Sequence, residues 1–258
     1  MNSAQVLRQA IRGGRHDGLT TGCAPGHLQA NLVVLPQSYA SEFLQFCASN
    51  PMACPVLGVG EPGAVDLPAL AADLDLRTDL PGYLVHREDQ PPQPAGDITN
   101  VWRDDLVAIA IGCWFSVEDT LAVAGIRLRH RELGIQGPLF RTNRETVRAG
   151  PFGGPLVVSM RPFAADDVPA VERITAGFPQ AHGAPLHAGD AGALGIADVS
   201  MPDYGEPLLP QAGEVPLYWP CGLTAMVALQ QARLPFFITH APGRMLVTDL
   251  RADPPRAH

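Results

Sequence analysis

The sequence predicts a mixed α/β protein of the α+β kind, with two α/β subdomains packed around a shared cleft. Three observations carry that expectation. The chain has 258 residues, enough for a large core, and is 46% hydrophobic against 17% charged, the balance of an ordinary globular protein. Short apolar runs alternate with amphipathic stretches, the pattern of strands exchanged with helices. Gly and Pro number 26 each, which breaks the chain into many short elements without reaching the composition of disorder. Residues 1–258 are expected to form a single unit of two subdomains, whose boundary, consecutive or interleaved, the sequence leaves open.

Ser3 ahead of Val6, Leu7, Ala10 and Ile11, with Gly13 and Gly14 behind, predicts a capped amphipathic helix with a glycine stop. Residues 18–26 form a turn-rich loop carrying Thr20 and Thr21; such loops are structural or, through their N–H groups, anion nests. Residues 27–35 read as a strand bounded by Pro36, and 38–48 as a helix turning Phe43, Leu44, Phe46 and Cys47 inward. A short apolar strand with glycine turns follows over 51–63. Residues 73–79 alternate polar and apolar, predicting a half-buried strand with Asp73, Asp75, Arg77 and Asp79 on one face, either solvated or forming a cleft wall. Pro91, Pro92 and Pro94 mark the most linker-like stretch. Asp97 or Thr99 then caps a predicted buried helix containing Val101, Leu106, Val107, Ile109, Ala110 and Ile111, which Gly112 breaks before a second helix from Ser116 to Ala124.

Farther on, residues 141–143 close a strand. Residues 156–160 form a buried strand delivering Ser159 and Arg161 at its C-terminal end, where α/β sheets bind ligands. A helix over 166–176 leads into the long turn-rich stretch 178–205. Beyond it come a strand over 215–219, a helix over 222–232, a strand over 236–239 ending in His240, a strand over 245–250 and a tail over 251–258.

Composition excludes several functions. A net charge of −8 argues against a polyanion partner such as nucleic acid. All 18 basic residues are Arg, so the chain cannot form a lysine Schiff base or supply a P-loop lysine, while it is rich in the planar fork that holds carboxylates at two points. Cys23, Cys47, Cys54, Cys113 and Cys221 are odd in number and lack a Cys-x-x-Cys pair, as in a reducing compartment. No segment reaches the length of a membrane span, and a cytoplasmic enzyme is the default. No cofactor is expected, and homo-oligomerisation is left open.

Two constellations carry chemistry. Residues 178–205 hold His182, His187, Asp190, Asp198 and Asp203 on turns set by glycines and prolines, either an active loop or an ordered connection. Cys113, Ser116 and Glu118 stand at a helix start, where the dipole favours a thiolate and where Ser and Glu are also routine caps.

Several stretches together resemble the D-glutamate cyclase family: Thr20-Thr-Gly-Cys-Ala-Pro-Gly-His-Leu-Gln-Ala-Asn31, Asp75-Leu-Arg-Thr-Asp-Leu-Pro81, Gly112-Cys113 with Ser116 and Glu118, Arg141-Thr-Asn143, Val158-Ser-Met-Arg161, His182-Gly-Ala-Pro-Leu-His187, Gly195-Ile-Ala-Asp198 and Thr239-His-Ala-Pro-Gly243. The chain departs from the family pattern at His27, at Trp114 and across 219–226. The resemblance implies a two-part α/β fold and closure of D-glutamate to 5-oxo-D-proline with loss of water, with a small carboxylate or amino acid as the partner.

For that chemistry Arg161 and Arg141 are expected to clamp a carboxylate, with Thr20, Thr21, Asn31, Arg77, Ser116 and Asn143 completing the binding set. His182, His187 or His240 exchange protons, Glu118 and Cys113 join the catalytic group, and the N–H groups around Gly22 or Gly112 receive the oxyanion. Two other readings fit the same residues: a metal-dependent hydrolase or lyase using His182, His187 and an Asp of that loop, and a non-enzymatic sensor of an acidic metabolite.

Overall fold

The computed structural model describes residues 2–252. Most of the tail expected over 251–258 therefore lies outside the described residues, and Arg251 still belongs to the last strand. Two antiparallel sheets organise the chain. The larger joins β2 (Val56–Val59), β5 (Leu106–Gly112), β1 (His27–Pro36), β10 (Phe236–His240), β3 (Tyr83–Arg87) and β4 (Gln93–Ala95), in that order. The first half of β1 also pairs with β11 (Leu246–Arg251), its second half with β10. The smaller sheet runs β6 (Leu139–Glu145), β7 (Pro155–Ala164), β9 (Glu214–Pro220), β8 (His187–Ala188). All four of its strands fall between β5 and β10 in sequence, so the chain leaves the first sheet to build the second and then returns. The fold is α+β.

β1 and β5 have no exposed face because both faces of the larger sheet are covered. Val33, Leu35, Ile109 and Ile111 pack with Phe43 and Phe46 of α2 (Gln37–Ser49) and Leu229 of α6 (Leu223–Ala232). Leu32, Val34, Ala108 and Ala110 meet Leu70, Leu74, Leu76 and Leu80 on the other side. This burial explains two corrections. The run 106–111 is a strand, and the expected helix shrinks to one 3-10 turn over Thr99–Val101. A segment buried all round has no period to read, but the β-branched Val107, Ile109 and Ile111 suit a pleated surface. Residues 73–79 are turns rather than a strand: Asp75 Oδ1 accepts from the Arg77 N–H and Asp79 Oδ2 from the Asp75 N–H, both at 2.9 Å. Those carboxylates fold the backbone so that the alternating leucines dip into the sheet.

The small sheet being antiparallel, the rule that ligands gather at strand C-termini, which belongs to parallel sheets, does not place this site. Ser159 and Arg161 instead share one face of β7, opposite Trp219 and Leu217 of β9.

α1 (Ser3–Arg12), capped by the Asn2 side chain, is fastened by two arginines. Arg8 is fully buried and donates to Asp73 at 2.5 Å, Asp249 at 2.9 Å and the Val247 carbonyl at 2.9 Å. Arg12 grips Asp79 with Nε at 2.7 Å and Nη2 at 2.5 Å, and the Asp79 side chain has no exposed surface. Replacing Arg12 by Met leaves that buried carboxylate without a cation, held only by the Asp75 N–H and the Thr78 hydroxyl, so urea unfolding should show a loss of about 3 kcal/mol. A loss below ~0.5 kcal/mol, the size of a surface pair, would show that the clamp is dispensable.

Candidate active site

Between the two sheets lies a cavity of about 320 Å³. Asn31 of β1 with Thr239 and His240 of β10 reach it from the larger sheet, and Ser159 and Arg161 of β7 from the smaller. Residues 113–115, His182 and the start of α6 close the gap between them. Among the described residues no Asp or Glu lines the cavity, and Arg161 is the one permanently charged side chain that does.

Arg161 is 3% exposed. Its Nη1 donates to the Met160 carbonyl and its Nη2 to the Gln136 carbonyl, each at 2.8 Å, and its guanidinium carbon stands 5.3 Å from the Trp114 ring centre. No carboxylate pairs with it among the described residues, whereas Arg8, equally buried, holds two. Burial lowers the Arg161 pKa, yet a guanidinium is far too basic to lose its charge at neutral pH. The cavity wall therefore carries one buried positive charge.

His182 occupies left-handed backbone, φ +78°, which is uncommon for a residue with a Cβ. Its Nδ1 donates to the Met52 carbonyl at 2.8 Å, which fixes the proton there and leaves Nε2 as an acceptor with no protein partner among the described residues. Gly112 makes this placement possible: a Cβ on it would stand 1.7 Å from the Gln180 carbonyl oxygen. His240 has both ring nitrogens against acceptors, Nε2 at 2.8 Å from Asn31 Oδ1 and Nδ1 at 3.1 Å from the Ala241 carbonyl. The Asn31 amide is oriented by donating to the Ile111 and Gly112 carbonyls, which turns its oxygen toward His240. Burial pushes His182 and His240 each down to about 4.

Two thiols face the same space. Burial raises Cys113 far above the ordinary thiol range and pushes Cys221 up to about 11, so neither is a thiolate at neutral pH. Cys221 precedes α6, whose N-cap is Gly222, with no side-chain cap and no acid in its first turn. A Cβ on Gly222 would stand 2.2 Å from Asn31 Nδ2, so glycine lets the positive end of the helix start beside Asn31.

Of the residues singled out in the sequence, the structure brings Asn31, Cys113, Arg161, His182 and His240 to the cavity. The others lie behind or away from it. Thr20 donates to the Gly243 carbonyl and accepts from the Met245 N–H, bracing the rim. Thr21 and His130 both bond the buried Glu118, at 2.8 and 2.7 Å, and Ser116 bonds the Gln29 backbone. Arg77 is held by Asp75 in a fork, Arg141 is exposed and donates to the Tyr204 hydroxyl, and Asn143 is exposed on β6. His187, half-buried on β8, bonds the Asp190 carbonyl. It shares no partner with His182, and no three His, Cys, Asp or Glu among the described residues are grouped to hold a metal. The Gly112 N–H is given to the Pro55 carbonyl and so offers no oxyanion donor.

Sequence reasoning set Ser159 at a ligand-binding strand end without giving it a role, and left Cys221, Gly222, Tyr204 and Thr239 out of the site. The alternation along β7 places Ser159 with Arg161, and a glycine ahead of an acid-free helix start marks Gly222; Tyr204 carried no such signal.

The sequence profile of the D-glutamate cyclase family matches residues 107–249. A protein of Methylobacterium radiotolerans is 51% identical over 243 residues, covering 94% of this chain and 90% of its own length. The chain belongs to the D-glutamate cyclase family. Further relatives in Jannaschia sp., 49% identical over 250 residues (97% of this chain, 94% of its own), and Burkholderia multivorans, 51% over 244 (95% and 94%), agree along nearly the whole length. All three bear the name "Putative hydro-lyase". The matched segment of the family begins in β5 and takes in every cavity residue discussed above except Asn31.

His86, which stacks on Phe237 at the cavity wall, is likewise pushed by burial down to about 4, as are His182 and His240. Their folded values lie below the ~6.5 of a free imidazole, so their neutral forms stabilise the fold above that pH, and the contribution is lost as pH falls below it. Thermal unfolding between pH 7.5 and 4 should therefore show a steep decline on the acid side that is shallower in His182→Gln. Identical slopes in the two proteins would mean that His182 titrates as a free imidazole.

Proposed function

We propose that this chain is a hydro-lyase that closes D-glutamate to 5-oxo-D-proline and water. The observation that carries the reading is a buried arginine without an acid, in a cavity without any other fixed charge, inside a member of this family. Glutamate at neutral pH is a net monoanion, and so is 5-oxoproline, which matches the single positive charge of the wall.

The reaction forms a bond between the amine nitrogen and the side-chain carboxyl carbon and breaks one C–O bond. Two of the three ammonium protons depart in the water. Arg161 holds the α-carboxylate, and the two carbonyls that pin its Nη atoms keep that anchor still. With no Asp or Glu to pair with, the substrate ammonium is destabilised in the buried cavity and gives up its proton. With no second cation, the side-chain carboxyl is favoured in its protonated form, the better electrophile. His182 Nε2, whose tautomer Met52 fixes, relays the proton between them. The start of α6 at Gly222 faces the cavity, with the Leu223 N–H donated to the Cys221 sulfur, and its dipole stabilises the oxyanion of the tetrahedral intermediate. A thioester route through Cys113 or Cys221 has less support, because burial holds both thiols protonated.

Proton NMR and mass spectrometry of the protein with D-glutamate should show loss of one water and appearance of the lactam, with L-glutamate as the comparison. His182→Gln should lower kcat by about a hundredfold, and Arg161→Met should raise KM and lower kcat/KM by at least that factor. No water loss from D-glutamate in folded protein would overturn the assignment.

A further inference from the structure

Three hydrogen-bond donors on the cavity residues are buried and have no acceptor among the described residues: Trp114 Nε1, Ser159 Oγ and Arg161 Nε. Each belongs to a residue only 3% exposed. Folded proteins leave few such groups unpaired, because each has lost its water and gained nothing in return. Here three of them cluster. Ser159 and Arg161 are two apart on β7 and share a face, and the Arg161 guanidinium stands 5.3 Å from the Trp114 ring centre. Each Nη atom of Arg161 gives one of its two N–H groups to a main-chain carbonyl, whereas Nε–H has no acceptor among the described residues. The indole is held in place by its neighbours, with the Trp219 ring 5.3 Å away and the His130 ring 5.7 Å away.

We infer that Trp114 Nε1–H, Ser159 Oγ–H and Arg161 Nε–H together form a carboxylate subsite, in which Trp114 and Ser159 determine specificity for an acid over its amide. A carboxylate is acceptor-only with about four lone-pair directions, and so takes all three donors at once, whereas an amide brings donors of its own that meet donors. The single charge of Arg161 matches a monoanionic carboxylate rather than a phosphate dianion. This inference rests on the reading of the cavity as the substrate site and names the groups that recognise the substrate's α-carboxylate.

The inference predicts opposite effects in the free and bound protein. Ser159→Ala removes an unpaired donor, so the ligand-free protein should melt at the same temperature or higher. Its affinity for a carboxylate should nonetheless fall by about tenfold. Trp114→Phe keeps an aromatic ring without the N–H and should weaken carboxylate binding by a similar factor, with the carboxamide unaffected.

The test is calorimetric titration of wild type, Ser159→Ala and Trp114→Phe with D-glutamate, 5-oxo-D-proline, the carboxamide of 5-oxo-D-proline and inorganic phosphate, alongside melting curves. Preference of wild type for the acid, collapsing in both variants, supports the subsite. Retention of the full acid-over-amide preference by both variants overturns it, even if D-glutamate is turned over. Wild-type binding of phosphate as tightly as of 5-oxo-D-proline, or of neither acid, also overturns it. If the acid preference collapses as expected while D-glutamate is never dehydrated, the subsite stands and the reaction assignment falls.

Discussion

A guanidinium sealed between two sheets with no carboxylate beside it is the constraint on which the rest of this site depends. The same chain shows the usual solution at Arg8, equally buried, whose charge is met by Asp73 and Asp249. Arg161 is held only by main-chain carbonyls and an aromatic face, which orient it without neutralising it. The positive field it leaves acts with the uncapped end of α6, and both favour an anion in the space between. The neighbouring imidazoles respond in kind: His130 is pushed down by burial first and by the charge of Arg161 second. Glu118 is the nearest compensation, and it sits behind the wall, bonded to His130 and Thr21. Glu118 thus balances charge across the structure without taking the anion's place.

The strands that carry the site were largely legible. β1, β7, β9 and β10 are apolar runs between turn signals, and the helix before β10 ends where its pattern does. Legibility failed where burial erased the pattern, at 106–111, and where local carboxylate hydrogen bonds imitated it, at 73–79. The site itself was half visible. Residues 178–205 drew attention as a cluster, yet only His182 and Tyr204–Gly205 of that stretch reach the cavity, because Gly112 admits the Gln180 carbonyl and swings one histidine inward while His187 joins the edge strand. Nothing local announces that Asn31, Cys113, Arg161, Cys221 and His240 converge. Their meeting is a product of pairings between segments far apart in the chain, which no window of sequence contains.

The absence of lysine bears on how the arginines should be read. A chain of arginines looks at first like a set of carboxylate receptors. In the fold Arg12, Arg77, Arg103 and Arg127 instead spend their forks on acids of the chain itself. Most of these pairs are partly exposed and contribute little stability; the exception is Arg12 with the buried Asp79. The feature that separates a binding arginine from a structural one is therefore the lack of a partner under full burial, and residue type alone does not reveal it.

Why a wall with one charge should suit a dehydration follows from the charges the substrate brings. In water the ammonium and side-chain carboxylate of glutamate are each solvated, and neither is reactive in the form that dominates. Moving the pair into a space with no acid and no second cation penalises both charged forms, and a single internal proton transfer removes both penalties. The product of that transfer is a free amine facing a neutral carboxylic acid, the combination from which a lactam forms. An added Asp would hold the ammonium and an added Arg the carboxylate, each binding the substrate more tightly in the wrong ionic state. On the reaction proposed above, sparse charge is the catalytic feature of the cavity, with Arg161 reserved for the one carboxylate that takes no part in the chemistry.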